Sequence, residues 1–154
     1  MAGLERFLLA QDVTSENRGV KRFNIIQTNS YADALEEIRN GRKRGHWIWY
    51  IFPQLKGLGH SYNSNYYGIA NIKEAIEYLN HPILGKRLRE ITEVLLSLPE
   101  GLTAREILGG IAARKVKSSM TLFYLASKET PFMDVINRYY DGNMDEQTIK
   151  MLSL

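Results

Sequence analysis

The stretch GRKRGHWIWYIFPQ, Gly41–Gln54, decides between a mixed fold and a helical one. Its centre, Trp47–Phe52, is a continuous apolar run. Hydrophobic period does not say whether such a run is a strand or a buried helix. Its aromatic and β-branched content favours a strand. A lone strand, however, has no partner, and the rest of the chain reads helical. The run is therefore read as a buried helix that ends before Pro53, because proline pushes the residue ahead of it out of the helical region.

Working outward, the helical signals accumulate. Leu4, Phe7 and Leu8 repeat at helical spacing and predict a short helix over 3–11. Residues 12–29 have no period and read as a loop or irregular insertion. Ser30 is a good N-cap for YADALEEIRN, where Tyr31, Ala34, Leu35 and Ile38 form a stripe and Gly41 is a natural stop. After Pro53, LKGLGHSYNSN is rich in Gly, Ser and Asn and reads as loop, with a short element near Tyr66, Tyr67 and Ile69. Asn71 opens a helix with Ile72, Ala75, Ile76 and Leu79 on one face. Pro82 begins another, with Leu84, Leu88, Ile91, Leu95 and Leu98 inward. Thr103 and Glu106 form a capping-box pattern. A helix over 111–127 turns Val116, Met120, Phe123 and Tyr124 inward. Pro131 opens the next, which Gly142 ends, and Asp145 caps the last. The expectation is an all-α single domain over 1–154, an array of about seven or eight helices.

Composition narrows the function. The chain has 154 residues, 44% hydrophobic and 24% charged, ordinary for a soluble globular protein. It contains no cysteine, which excludes disulfides, thiol catalysis and thiolate metal sites. The start, MAGLERFLLAQDV, lacks the features of a signal peptide, and no apolar stretch approaches the roughly 20 residues that span a bilayer. The expectation is a cytoplasmic protein without a membrane partner. His46, His60 and His81 are not spaced as ligands of one metal, so no metal or cofactor is expected.

The net charge is only +3, but it is unevenly spread. No Asp or Glu occurs from Ile38 to Lys73, where Arg39, Arg42, Lys43, Arg44, Lys56 and Lys73 lie with both tryptophans. A second acid-free stretch, Ile107–Lys128, holds Arg114, Lys115, Lys117 and Lys128. Two such stretches are compatible with a positive concavity and equally with buried segments. Arg42, Lys43 and Arg44 also complement the dipole of the helix before them, with no ligand needed. Guanidinium and indole groups together are a common cradle for a nucleobase or phosphorylated sugar. Glycines beside Ser61 can offer N–H groups to an anion. Ser118 and Ser119 share a helical face with Lys115, an arrangement that suits either nucleophile activation or close helix packing. Paired acids Glu36–Glu37 and Glu74–Glu77 read as solvated faces.

The strings GRKRGHWIWYIFPQLKGLGHS, IKEAIEYLNHPILGKRLRE and KVKSSMTLF resemble the bacterial family catalogued as domain of unknown function 1810. The resemblance implies a mostly helical domain and no established activity. It carries a recurring pattern onto Gly41, Lys43, His46, Trp47, Trp49, Pro53, Gln54, Gly57, Ser61, Lys115, Ser118 and Thr121. Ala112 stands where relatives often have an acid, three residues before Lys115.

The leading expectation is a phosphorylated or nucleotide-like ligand in a basic, aromatic-lined pocket. Arg42 and Lys43 would neutralise phosphate, Trp47 or Trp49 would stack, and His46 would hydrogen-bond. Gln54, Ser61, Lys115, Ser118 and Ser119 complete the candidate set. The alternatives are a hydrolase or transferase of nucleotide sugars at the same site, and a protein-interaction module. Nucleic acid is disfavoured by the modest charge and the lack of a helix-turn-helix or zinc motif.

Overall fold

The caps written into the sequence set most boundaries of the computed structural model, which describes residues 3–12, 21–22, 25–26 and 29–153. In chain order the elements are α1 (Glu5–Gln11), β1 (Lys21–Arg22), β2 (Ile25–Ile26), α2 (Tyr31–Arg39), α3 (Ile48–Ile51), α4 (Tyr62–Tyr66), α5 (Ile72–Asn80), α6 (Leu84–Ser97), α7 (Ala104–Leu108), α8 (Gly110–Ser127), α9 (Thr130–Tyr139) and α10 (Glu146–Leu152). Ser30, Asn71, Thr103 and Asp145 each accept a hydrogen bond from the backbone two or three residues into their helices. Thr103 and Glu106 form the expected reciprocal box, with bonds of 3.0 and 2.8 Å.

The class is all-α, but ten helices are described where seven or eight were expected. The surplus comes from short pieces. Helix α4 lies inside the stretch read as loop, capped by Ser61. Gly, Ser and Asn lower helix propensity without forbidding a single turn. The run at Trp47 is helical as expected, though α3 is only one turn long. Most of 12–29 lies outside the described residues. The part that is described pairs Lys21–Arg22 with Ile25–Ile26 as a two-residue antiparallel ribbon.

Helix α8 is the axis of the core. It packs against α3, α5, α7, α9 and α10. A helix with neighbours on so many sides cannot afford one polar face, and its buried residues run almost all round: Ala112, Ala113, Val116 and every position from Ser118 to Phe123. The inward set foreseen for this helix was therefore too narrow. Phe123 packs its ring 5.3 Å from Tyr78 and 6.1 Å from Phe132. Leu84, Leu88, Ile91 and Leu95 on α6 and Leu98 at its C-cap are all buried as foreseen, and α6 packs against α2, α5 and α9.

Helix α5 departs from its expected face. Ala75, Tyr78 and Leu79 are buried, whereas Ile72 and Ile76 are exposed. Its core face is rotated because Tyr78, ranked below the isoleucines by hydropathy, fills the space against Phe7 and Phe123. Tyr78 keeps its hydroxyl satisfied there by the amide of Gln11, 3.1 Å away. No helix among the described residues is long and apolar enough to cross a membrane.

Because Phe123 is wholly buried between two rings, Phe123→Ala should lower stability by about 3–5 kcal/mol. Urea denaturation checks this, and a loss below about 1 kcal/mol would place α8 outside the core.

Candidate functional site

The site begins where α2 ends. Gly41 adopts φ +77°, a left-handed conformation that glycine takes without strain. Gly41 N–H donates to Ile38 O at 2.8 Å and Arg42 N–H to Glu37 O at 3.1 Å. This is the paired bonding of a Schellman motif, and it turns the chain back on its helix. Lys43 N–H then donates to Ile107 O at 2.7 Å, which fastens the basic segment to the end of α7.

Glu37 holds the next stretch. One oxygen, Oε1, accepts from Arg44 N–H at 2.8 Å, Gly45 N–H at 2.9 Å and the indole Nε1–H of Trp47 at 2.8 Å. Burial pushes this carboxyl up, but the three donors and the Lys43 charge outweigh burial and hold it below the usual range. Glu37 is thus an internal anchor rather than part of a solvated face. Glu74 also leaves the solvated category, since it pairs with buried Arg6 and accepts from Ala70 N–H. The signal for Glu37 was the glycine stop: a chain that reverses at Gly41 must lay residues 44–47 across the last turn of α2.

Beyond that anchor lies a groove with two lobes. The first, about 390 Å³, is lined by Lys43, His46, Trp49, Gly109, Gly110 and Lys115, with Ile48 and Ala112 at its apolar side. The second, about 300 Å³, is lined by Gln54, Leu58, Arg114, Ser118, Asp145 and Gln147. Both are bounded by Ile111 and Lys115. Gly109, at φ +85°, starts α8 with no side-chain cap and no acid in the first turn. The first turn of this 18-residue helix thus lines the first lobe, and its first N–H groups make no hydrogen bond to the described residues.

Neither lysine makes an ion pair with a carboxylate of the described residues. Lys115 Nζ has Gln54 Oε1 and Ser64 Oγ at 3.4 Å each. Its ammonium pKa is depressed by burial and by the neighbouring Arg114. Lys43 Nζ donates to Gly45 O at 2.6 Å and lies 5.1 Å from the centre of the Trp47 ring. Burial depresses its pKa too, although Glu37 partly restores it. Gln54 is brought to Lys115 by a single parallel bridge between Leu55 and Ile69, in which Ile69 N–H donates to Gln54 O at 2.9 Å.

The candidate set is thus divided. Lys43, His46, Trp49, Gln54, Lys115 and Ser118 line the groove. Arg42 lines a separate concavity with Asp33, Glu36 and Glu37. Trp47 is wholly buried, so its ring is unavailable for stacking on a ligand. Ser61 caps α4. Ser119 is wholly buried, with its hydroxyl lacking a partner among the described residues. Ser118 donates back to Arg114 O, in helix-internal fashion. Asp145 and the backbone of Gly109–Gly110 are the members that sequence reasoning missed. Among the described residues no carboxylate lines the lobe that holds His46. Of the acids that a nucleotide-sugar hydrolase or transferase could draw on from elsewhere in the chain, Glu74 is engaged by Arg6, Asp141 sits exposed in a left-handed turn, and Glu16 lies outside the described residues.

Comparison with known proteins agrees with this architecture. The family described as "Protein of unknown function (DUF1810)" matches residues 17–152. Among solved structures, the chain is similar to the conserved hypothetical protein Rv1873 from Mycobacterium tuberculosis, at 38% identity and a TM-score of 0.84, over 98% of this chain and 96% of that one. No curated protein matches.

The Glu37 anchor makes an acid-side prediction. Its carboxyl pKa is lower in the folded protein than in the unfolded chain. Its contribution is therefore present above the ordinary glutamate value and is lost as pH falls through the folded-state value. Wild type should exceed Glu37→Gln in urea stability at pH 7, and the gap should close in acid. A gap that does not change with pH would remove the charge from the account.

Proposed function

The chain belongs to the DUF1810 family, whose description assigns no activity, and from the groove geometry we infer that it binds a phosphorylated or nucleotide-like small molecule. The observation that carries this reading is the convergence of Lys43, Lys115 and the uncapped start of α8 on one lobe that no carboxylate of the described residues lines. Each of these would be stabilised by an anion. Backbone N–H groups at a helix start make directional bonds to phosphate oxygens, and the dipole favours negative charge. The lysines add point charges. Partial burial has stripped them of water, so an anion restores what the fold removed. Trp49, half-buried beside His46, offers a ring face to the planar part of a nucleotide. His46, exposed at the rim, supplies a further hydrogen bond.

Binding is a better reading than hydrolysis. A hydrolytic step needs a base placed against water or an activated nucleophile. The Ser118 hydroxyl donates to Arg114 O, Asp145 in the same lobe caps α10 through Thr148, and no carboxylate among the described residues lines the His46 lobe. The cytoplasm, where nucleotides and sugar phosphates are abundant, is the compartment this reading favours.

The test is a thermal-shift and calorimetric screen with inorganic phosphate, pyrophosphate, nucleotides and sugar phosphates. A ligand at 100 times its Kd stabilises by about 2.7 kcal/mol. Lys115→Met should weaken the best anion by about tenfold or more, the size of one charge-assisted bond. Affinity should be highest below the depressed lysine pKa and fall as pH rises through it, because the anion binds the ammonium form. Failure of every anion to shift the protein would return the groove to the status of surface relief and favour an interaction module.

A further inference from the structure

The second lobe has a different chemistry from the first, and the difference specifies what is attached to the phosphate. Gln54 gives its Oε1 to Lys115, and its Nε2 has no partner among the described residues. Ser118 Oγ donates once, to Arg114 O, which leaves it able to accept. Among the described residues Asp145 is the one carboxylate that lines either lobe. Its Oδ2 accepts from Thr148 N–H at 3.0 Å and from the Thr148 hydroxyl at 2.5 Å, and no bond from the described residues reaches Oδ1. Gln147 stands exposed at the edge, and Leu58 supplies an apolar patch.

This set discriminates among occupants. Arg114 and Lys115 also line this lobe and answer the anionic group where the lobes meet, but a phosphate pushed in as far as Asp145 meets like charge. A nucleobase finds no aromatic ring in this lobe, whereas the first lobe holds Trp49. A hydroxylated ring fits: its hydroxyls donate to Asp145 Oδ1 and accept from Gln54 Nε2 and Gln147, and its C–H face covers Leu58. Between the lobes stand Lys115 and the exposed Ile111, so a molecule filling both must place its anionic group at Lys115.

We propose that the second lobe, built from Gln54, Ser118, Asp145 and Gln147, is a sugar subsite, and that the ligand is a nucleoside diphosphate joined to a terminal sugar. The proposal rests on the anion-binding reading above. The nucleoside lies by Trp49, the diphosphate between Lys115 and the start of α8, and the sugar over Asp145.

Calorimetry on the full chain with two probe pairs, ADP against ADP-ribose and UDP against UDP-glucose, tests it. In at least one pair the sugar-bearing member should bind about tenfold tighter, the worth of one or two added hydrogen bonds. Ser118→Ala with Gln147→Ala should reduce that advantage below about threefold while leaving the parent nucleotide unchanged. Should the double variant fail to fold by circular dichroism, Gln147→Ala alone, at an exposed position, gives the same comparison. Equal affinities within both pairs, or an advantage that survives the substitutions, overturn the sugar subsite and leave anion binding intact. Absence of binding by all four probes overturns both.

Discussion

A single carboxylate oxygen holds the groove side of this protein in shape. Glu37 Oε1 takes the N–H groups of Arg44, Gly45 and Trp47. Three donors on one ionised acceptor are charge-assisted bonds, about twice as strong as neutral ones. They fix a segment that would otherwise repel itself, since Arg42, Lys43 and Arg44 are consecutive cations. They also satisfy the indole N–H that burial of Trp47 would leave stranded. With Trp47 locked, α3 follows at once, and Lys43 and His46 are set on the rim of the groove. The backbone bond from Lys43 to Ile107 then brings that rim to the start of α8.

The groove itself works against folding. Partial burial of Lys43 and Lys115 disfavours their charged forms, and no side chain among the described residues caps the start of α8. Proteins retain such unfavourable features chiefly where a ligand relieves them. The surrounding structure compensates in ordinary ways. Glu37 tempers Lys43, Gln54 and Ser64 give Lys115 weak neutral partners, and the densely packed interior of α8 absorbs the remainder.

How much of this was legible depends on range. Local chemistry was: Ser30, Asn71, Thr103 and Asp145 cap helices because a side-chain oxygen two or three residues from an N–H is a property of the sequence itself. The Trp47 run was read correctly as helix for want of a strand partner. What escaped was long-range. Amphipathic pattern marks Glu37 as polar and cannot say that the chain doubles back over it. Hydropathy ranks Ile72 and Ile76 above Tyr78, yet the space beside Phe7 and Phe123 takes the larger ring. Asp145 was visible as a cap, but its place beside Gln54 and Ser118 depends on how α10 docks on α8. Of the candidate residues, those on the surface of α8 and on the two loops facing it meet in one groove. Arg42, Trp47, Ser61 and Ser119 have other occupations.

Placing Lys115 and Ser118 on the most enclosed helix has an evolutionary consequence. Binding groups commonly sit on loops that diverge freely. Here most substitutions along the buried faces of α8 are felt by the core, so divergence in the groove lining is channelled into a few sites. Ile111 and Arg114 project outward from the helix, and Gln54, Leu58 and Gln147 approach it from elsewhere. Descendants of this chain can retune the second lobe through those positions without disturbing the scaffold. The first lobe, made of backbone and anchored cations, is the part that drift will alter last.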